Sequence, residues 1–268
     1  KSMDDLPELL HAAEEDKVPY IILGWGSNII FSDKGFRGLV IHNLARKIWL
    51  DEDGLVVAEA GTLLSQIIQF SLKNGLTGME KMMGLPGSIG GAVRGNAGAF
   101  GLEIKHLFAK AEIYKPGEGL MTVPYDYLEF DYRHSKIKHT ADIIMRVWLK
   151  LSPGDTQKGV EEVRQIIVSR AGKHPSGKSS GSFFKNPSGN SIGEGHSAGW
   201  YSDQVGCKGL KIGGAFISDK HANFLMNDGT ATLEDVVKLC EEVQKRVFEK
   251  FGVKLEREVQ LVGEFGYI

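Results

Sequence analysis

The stretch at residues 84–101, GLPGSIGGAVRGNAGAFG, constrains this chain more than any other segment. Its glycines alternate with small residues, Arg94 is its only charge, and apolar side chains such as Ile89 and Val93 are spaced along it. So many missing side chains beside apolar anchors predict main chain pressed against a neighbour, with amide groups available to an anion. A tightly packed turn inside a core is the competing interpretation.

A second short segment, Gly24-Trp25-Gly26-Ser27-Asn28, favours the interpretation that the chain binds an anion. It follows a predicted strand at residues 19–23, and the strand-forming run Ile-Ile-Phe comes directly after it. A Rossmann motif would need a third glycine and a helix at this point, and neither is present. The pattern therefore argues against a Rossmann unit and predicts a strand–loop–strand that could cradle a pyrophosphate by hydrogen bonds.

Composition narrows the class of protein. The 268 residues carry a net charge of −2, with 32 basic and 34 acidic residues, so nothing indicates a nucleic-acid partner or a disordered acidic tail. Cys207 and Cys240 are too few for a disulfide framework or a zinc motif, and they suit a reducing cytoplasm. No apolar run is long enough to span a bilayer. We expect a cytoplasmic protein with no metal site and no membrane partner.

Periodicity predicts a mixed chain of strands and helices. Helices are expected after Thr62, from Asp155 or Thr156, over residues 197–204, and from a Thr232 cap to Gly252. Strands are expected at residues 39–41, 46–50, 55–59, 108–114, 120–123, 143–151, 215–218 and 253–262.

Several separated segments together resemble one family. They are GWGSN, the long glycine stretch, YRHS at 132–135, GSFFKNP at 181–187, AGWYSDQVGCKG at 198–209, ISDKHANFLMNDGTAT at 217–232 and FGVKLEREV at 251–259. In this order, across nearly the whole chain, they resemble the UDP-N-acetylenolpyruvylglucosamine reductase (UDP-N-acetylmuramate dehydrogenase, MurB) family. The spacing from YRHS to GSFFKNP resembles the shorter subclass, which lacks the substrate-covering insertion. Members usually carry a further glycine-pair segment before the first helix, which the sequence lacks.

The resemblance implies an α+β fold of the vanillyl-alcohol-oxidase type, with two FAD-binding subdomains and a substrate-binding domain. We place the first subdomain at residues 1–44, with residues 252–268 returning to it. The second subdomain is expected at residues 45–172, and the substrate domain at 173–251.

The resemblance also implies the cofactor and its contacts. FAD is expected to bind without a covalent link, because no histidine or cysteine lies at an obvious loop position, and NADPH is the expected co-substrate. The predicted cofactor-binding residues are Gly24, Trp25, Gly26, Ser27, Asn28, Gly84, Pro86, Gly87, Ser88, Gly90, Gly91, Asn96, Ala97, Gly98 and Gly101.

The implied catalytic residues are Arg133, Ser182 and Glu258, with Ser182 as the proton donor and the other two as charge stabilisers. Each has a plain structural alternative. Ser182 could be an ordinary strand residue, Arg133 could pair with Asp131 or Glu129, and Glu258 could lie on a solvated strand face.

The implied substrate is a UDP-sugar enolpyruvyl ether, reduced during peptidoglycan precursor synthesis. Lys185 and Asn186 are the predicted substrate-binding residues, and for Lys173 and Lys178 a solvated charged face is the preferred interpretation. Another flavoprotein oxidase of the same fold, or a nucleotide-binding module without catalysis, would be the alternatives. The sequence favours a monomer.

Overall fold

The computed structural model describes residues 3–187 and 195–268. The chain forms two compact units. The first comprises Lys1–Gly26 and Gly38–Val168, and the second comprises Ser27–Arg37 and Ser169–Ile268. Each unit has its own buried apolar cluster, as expected when each packs a core of its own.

The described part of the chain forms six α-helices, five 3₁₀ turns and eighteen strands. The helices are α1 Leu6–Glu15, α2 Leu64–Lys73, α3 Ile89–Arg94, α4 Thr156–Lys173, α5 Ala198–Gln204 and α6 Leu233–Phe251. The 3₁₀ turns are Met3–Asp5, Glu80–Met82, Ile104–His106, Tyr125–Leu128 and Lys136–Lys138. The strands are β1 Tyr20–Leu23, β2 Ile29–Phe31, β3 Leu39–His42, β4 Ile48–Leu50, β5 Val56–Glu59, β6 Leu76–Thr77, β7 Gly98–Ala99, β8 Leu102–Glu103, β9 Phe108–Lys115, β10 Gly119–Pro124, β11 Ile143–Leu149, β12 Ser152–Pro153, β13 Ser179–Ser182, β14 Lys211–Ile212, β15 Ala215–Ile217, β16 Phe224–Asn227, β17 Gln260–Gly263 and β18 Gly266–Tyr267.

The first unit is built on a five-stranded antiparallel sheet in the order β10-β9-β11-β5-β4. Strand β5 is buried along its whole length, which explains its continuous apolar run Val-Val-Ala. Its last residue, Glu59, is buried too, and its carboxylate accepts a hydrogen bond from the Lys47 backbone N–H at 2.8 Å. In the same unit β1 and β3 form a separate parallel pair. The end of β5 and the end of β1 both lead into the candidate site.

The second unit joins the antiparallel sheet β13-β16-β15-β14 to helix α6. Helix α6 begins at the Thr232 cap, whose hydroxyl accepts a hydrogen bond from the Asp235 N–H, and it ends at Gly252 in the left-handed region (φ +68°). Its buried residues Val236, Leu239 and Val243 recur at helical spacing. Strand β17 pairs in parallel with β2, so the end of the chain lies beside residues 29–31.

Most predicted elements are confirmed, including both strands that flank Gly24 to Asn28 and the cap and stop of α6. The predicted strand at residues 253–262 is wrong over its first part, because regular pairing starts only at Gln260. Before that point Arg257 makes one isolated bridge to Phe184, and the Leu255 carbonyl accepts a hydrogen bond from the Gln244 side chain of α6. That carbonyl is thereby bonded to a helix instead of a neighbouring strand.

The predicted division into two FAD-binding subdomains and a substrate domain stays a prediction. Among the described residues, no helix combines the length and the apolar character that crossing a membrane requires.

We expect both cysteines to be unreactive in the folded protein. Cys207 and Cys240 are buried free thiols, and burial raises the pKa of Cys207 to about 11 and that of Cys240 to about 12. Since the thiolate is the reactive form, labelling by a disulfide reagent at neutral pH should be negligible without denaturant and complete in guanidinium chloride. Rapid stoichiometric labelling of the folded protein would contradict this.

Candidate active site

The two glycine segments touch each other in the first unit. Gly24 follows β1, and a Cβ placed on it would collide with the hydroxyl of Ser88 in the long stretch. Gly26, two residues on, has a φ of +75°, a conformation that favours glycine. The missing side chain at position 24 therefore allows the two segments to meet.

The long stretch contains a short helix, α3, that the sequence analysis missed. Its first amide groups bond outside the helix: the Ile89 N–H donates to the Thr62 carbonyl at 2.8 Å, and the Gly90 N–H donates to the Ala60 carbonyl at 2.9 Å. A Cβ on Gly90 would lie 2.9 Å from the Ala60 Cβ. The stretch is thus main chain packed on the end of β5, as its composition predicted. The spacing of the buried Ile89 and Val93 was the available signal for the helix.

Arg133 is attached to the same stretch. Its Nη2 donates to the Gly98 carbonyl at 2.9 Å, and its backbone lies in the left-handed region at φ +52°. Asn96 holds the turn from the other side: it is fully buried, and its amide donates to the Asp131 carbonyl at 2.8 Å and to the Glu103 carboxylate at 2.9 Å. A predicted catalytic residue and a predicted cofactor-binding segment are therefore one packed structure.

Ser182 and Glu258 are brought together in the second unit. Ser182 ends β13 opposite Phe224, and the next residue, Phe183, accepts a hydrogen bond on its carbonyl from the Glu258 N–H at 2.9 Å. The isolated bridge between Phe184 and Arg257 continues this pairing. Ser182 and Glu258 are far apart in sequence, but both lie where residues 183–184 pair with residues 257–258. We call this place the crossing.

Asn223 secures this crossing, and sequence reasoning missed it. Its side chain accepts from the Phe184 N–H and donates to the Phe184 carbonyl, both at 2.9 Å, and its own carbonyl accepts from the Phe183 N–H at 2.9 Å. Asn223 is 4 % exposed. An asparagine inside the apolar run His-Ala-Asn-Phe-Leu-Met was the only signal for it, because a buried amide must find hydrogen-bond partners.

His221 supports Asn223 through its neutral form. Its Nδ1 accepts a hydrogen bond from the Asn223 N–H at 3.2 Å, and burial lowers its pKa below the usual value. A neutral ring can accept at that nitrogen, and a protonated ring cannot. His221 is thus better explained as a structural residue than as an acid or base.

Asn28 bonds to the backbone of Glu258 within the second unit. Its Nδ2 donates to the Glu258 carbonyl at 3.2 Å, and its own carbonyl accepts from the Gln260 N–H at 3.0 Å. Both backbone groups of Glu258 are therefore engaged, the N–H by Phe183 and the carbonyl by Asn28.

The two predicted substrate-binding residues have partners within their own unit. The Lys185 ammonium lies 3.2 Å from the Glu256 carboxylate, and Asn186 accepts a hydrogen bond from the Ala198 N–H at 3.1 Å. The Lys185 pair is half-buried on the lysine side and exposed on the glutamate side, so its net contribution to stability is small. Lys173 and Lys178 are exposed, which agrees with a solvated face.

Two family models match the chain. Residues 1–121 match an FAD binding domain, and residues 173–262 match the C-terminal domain of UDP-N-acetylenolpyruvoylglucosamine reductase. Among relatives, the UDP-N-acetylenolpyruvoylglucosamine reductase of Caldanaerobacter subterraneus subsp. tengcongensis is 37% identical over 264 residues, which are 98% of this chain and 85% of the relative. The enzyme of the same name from Lactiplantibacillus plantarum is 38% identical over 266 residues, 98% and 86% of the two chains. The chain belongs to the UDP-N-acetylenolpyruvoylglucosamine reductase family.

A solved structure supports the same family. The UDP-N-acetylenolpyruvylglucosamine reductase of Thermus caldophilus is 34% identical, superposes with a TM-score of 0.78, and aligns with 95% of this chain and 89% of its own. The predicted vanillyl-alcohol-oxidase-type FAD fold is confirmed, and it agrees with the prediction against a Rossmann unit.

The residues of this reductase fit an FAD. A Cβ on Gly24 would collide with the Ser88 hydroxyl, and a Cβ on Gly90 would collide with Ala60, so the two predicted cofactor segments form a closely packed, glycine-rich surface. A diphosphate is commonly held in such a surface through amide hydrogen bonds.

We expect Asn223→Ala to lower the free energy of unfolding of this reductase by about 2–4 kcal/mol, because it leaves the buried N–H and carbonyl of Phe184 unpaired. Urea unfolding followed by circular dichroism measures the change, with FAD kept at one saturating concentration. Asn74→Ala is the matched control, since Asn74 is exposed and donates one side-chain bond to the Phe70 carbonyl. Equal, small changes in both variants would mean that Asn223 does not secure the crossing.

Proposed function

We propose that Arg133, Ser182 and Glu258 are the catalytic residues of this chain. As a member of its family, the chain is an FAD-dependent oxidoreductase, a UDP-N-acetylmuramate dehydrogenase. It reduces the enolpyruvyl group of UDP-N-acetylglucosamine enolpyruvate to give UDP-N-acetylmuramate, with NADPH as co-substrate, in peptidoglycan precursor synthesis. The observation that carries the residue assignment is the backbone bond between Phe183 and Glu258, which sets Ser182 beside Glu258.

The roles follow from the charge that the reaction creates. When bound, FAD supplies the hydride, received from NADPH, to the terminal carbon of the enolpyruvyl double bond. The carbon beside the carboxylate is then left with an electron pair, which spreads onto the carboxylate oxygens. Ser182 gives its hydroxyl proton to that carbon, and Arg133 stabilises the negative oxygens by its positive charge. Glu258 provides a second positioned group for proton transfer or charge stabilisation.

The cofactor contacts belong to the same proposal. The residues of the two glycine segments hold the FAD, chiefly through main-chain groups, and Lys185 and Asn186 hold the UDP part of the substrate. The close approach of Gly24 to Ser88 supports the first assignment. The Lys185–Glu256 pair supports the second, because its carboxylate is exposed and the half-buried ammonium can exchange that carboxylate for a phosphate.

We also propose that the enzyme works in the cytoplasm. Its two cysteines are both free and buried, which fits a reducing compartment.

We expect Ser182→Ala to keep the half-reaction with NADPH and to slow reduction of the enolpyruvyl substrate by about 10²-fold or more, because the hydroxyl acts only in the second half-reaction. Rapid-mixing absorbance traces separate the two half-reactions. Ser180→Ala is the matched control: it lies on the same strand, and its buried hydroxyl has no hydrogen-bond partner among the described residues. Equal slowing of both half-reactions would make Ser182 a structural residue.

We expect Glu258→Gln to lower the rate of substrate reduction at saturating substrate by about 10²-fold or more, since it removes a positioned ionisable group. The substitution keeps both backbone bonds of residue 258, so the fold should survive. Glu256→Gln is the control two residues away, where the carboxylate is exposed and contacts Lys185, and it should change the rate little. Mild and similar effects from both substitutions would remove Glu258 from the catalytic set.

A further inference from the structure

Arg46 is a cation beside the first glycine segment that the cofactor assignment does not include. Its guanidinium carbon lies 5.4 Å from the centre of the Trp25 ring, within the range of a cation–π interaction. Trp25 itself is 50% exposed. The pair therefore places a positive charge against Trp25, two residues before Ser27.

The hydrogen-bonding capacity of Arg46 is not used up inside the protein. Its Nε is buried, and among the described residues it has no hydrogen-bond partner. Within residues 3–187 and 195–268, no carboxylate lies within ion-pair distance of Arg46 either. A guanidinium held against an aromatic face, with no carboxylate partner and one buried N–H unsatisfied, keeps hydrogen-bonding capacity that a ligand could use.

The backbone around Arg46 is rigidly placed. The Ala45 N–H donates to the Asn43 side chain at 3.0 Å, and the Lys47 N–H donates to the Glu59 carboxylate at 2.8 Å. A Cβ on Gly61 would lie 2.6 Å from the Ala45 carbonyl, so this segment is packed against the chain just after β5. Asn43 in turn donates its N–H to the Leu23 carbonyl at the end of β1 at 2.8 Å.

These anchors are the supports of the two glycine segments. Gly24 follows Leu23 directly, and Ala60 at the end of β5 packs on Gly90. Arg46 is thus held between the ends of β1 and β5, which support the two glycine segments predicted to bind FAD. All of these residues lie in the first unit.

Charge balance indicates what Arg46 binds. All of the predicted cofactor-binding residues are uncharged, whereas a dinucleotide brings a doubly negative diphosphate. Arginine is suited to phosphate, because its planar fork can donate two parallel hydrogen bonds. We propose that Arg46, held in place by Trp25, binds a phosphate group of a dinucleotide in this enzyme. The inference rests on the proposed function, since it needs FAD or NADPH to be bound.

Two dinucleotides could supply the phosphate, and the test separates them. Purified holoenzyme is diluted, and the rise of flavin fluorescence on release gives the Kd for FAD. The variants are Arg46→Gln, which removes the charge, and Arg46→Lys, which keeps it without the fork. Lys47→Gln is the matched control, because it makes the same change of charge one residue away, at an exposed side chain. Thermal unfolding of each holoenzyme checks that the variants fold.

A phosphate of FAD predicts a Kd for FAD at least about tenfold higher in Arg46→Gln, a smaller rise in Arg46→Lys, and a change below about twofold in Lys47→Gln. If the phosphate belongs to NADPH, the Kd for FAD stays constant and the KM for NADPH rises about tenfold in Arg46→Gln. The KM for NADH rises with it if Arg46 binds the diphosphate, which both nucleotides carry, and stays constant if Arg46 binds the 2′-phosphate, which NADH lacks. Both results support the inference. An Arg46→Gln enzyme that matches Lys47→Gln in every one of these quantities overturns it. A wild-type chain that binds no FAD overturns the proposed function itself, and this inference with it.

Discussion

The close approach of Gly24 to Ser88 is the constraint on which the candidate site depends. Strand β1 delivers position 24 against the long glycine stretch, and a Cβ there would collide with the Ser88 hydroxyl, so a side chain would force Ser88 to move. The second contact, between Gly90 and Ala60, fixes the stretch on the buried end of β5. Because β5 lies inside the five-stranded sheet, the cradle is as rigid as the core beneath it. Backbone surfaces of this kind can bind a cofactor tightly with few charged side chains, because the donors are amide groups whose positions the core determines.

Two buried asparagines hold the backbone next to the residues proposed to be catalytic. Asn96 bonds the carbonyl before the turn that carries Arg133, and Asn223 bonds both backbone groups of Phe184, next to the strand that carries Ser182. A buried amide is costly unless it is satisfied, and each of these is satisfied by main chain from another segment. Because each buried amide must be satisfied, it fixes which backbone groups of the other segment lie opposite it. A leucine of similar size would pack, but it would not determine which carbonyl faces which amide.

The sequence predicts correctly those elements that depend on residues close together in the chain. The strands around Gly24 to Asn28, the Thr232 cap and the Gly252 stop follow from short patterns, and the structure has them. Helix α3 could not be foreseen in the same way, because Gly90 and Gly91 are poor helix formers and the helix is held by bonds to Ala60 and Thr62. The predicted strand does not extend before Gln260, because that part of the chain bonds to the Gln244 side chain of α6 and to residues 183–185 instead of continuing β17. For the site, the resemblance supplied Ser182 and Glu258, whereas the contacts made by Asn223 and Arg46 depend on partners distant in sequence.

The backbone of Glu258, a residue proposed to be catalytic, is held by bonds that do not involve its side chain. Its N–H bonds the Phe183 carbonyl, and its carbonyl accepts from Asn28, so the backbone of the residue is fixed on both sides. Neither bond uses the carboxylate. A substitution at position 258 can therefore change the chemistry of the side chain while the crossing next to Ser182 stays in place. Asn223 differs, because its side chain makes the hydrogen bonds that hold the crossing, and a substitution there removes them. Kinetic effects at Glu258 consequently report on chemistry, and effects at Asn223 report first on the geometry that the chemistry requires.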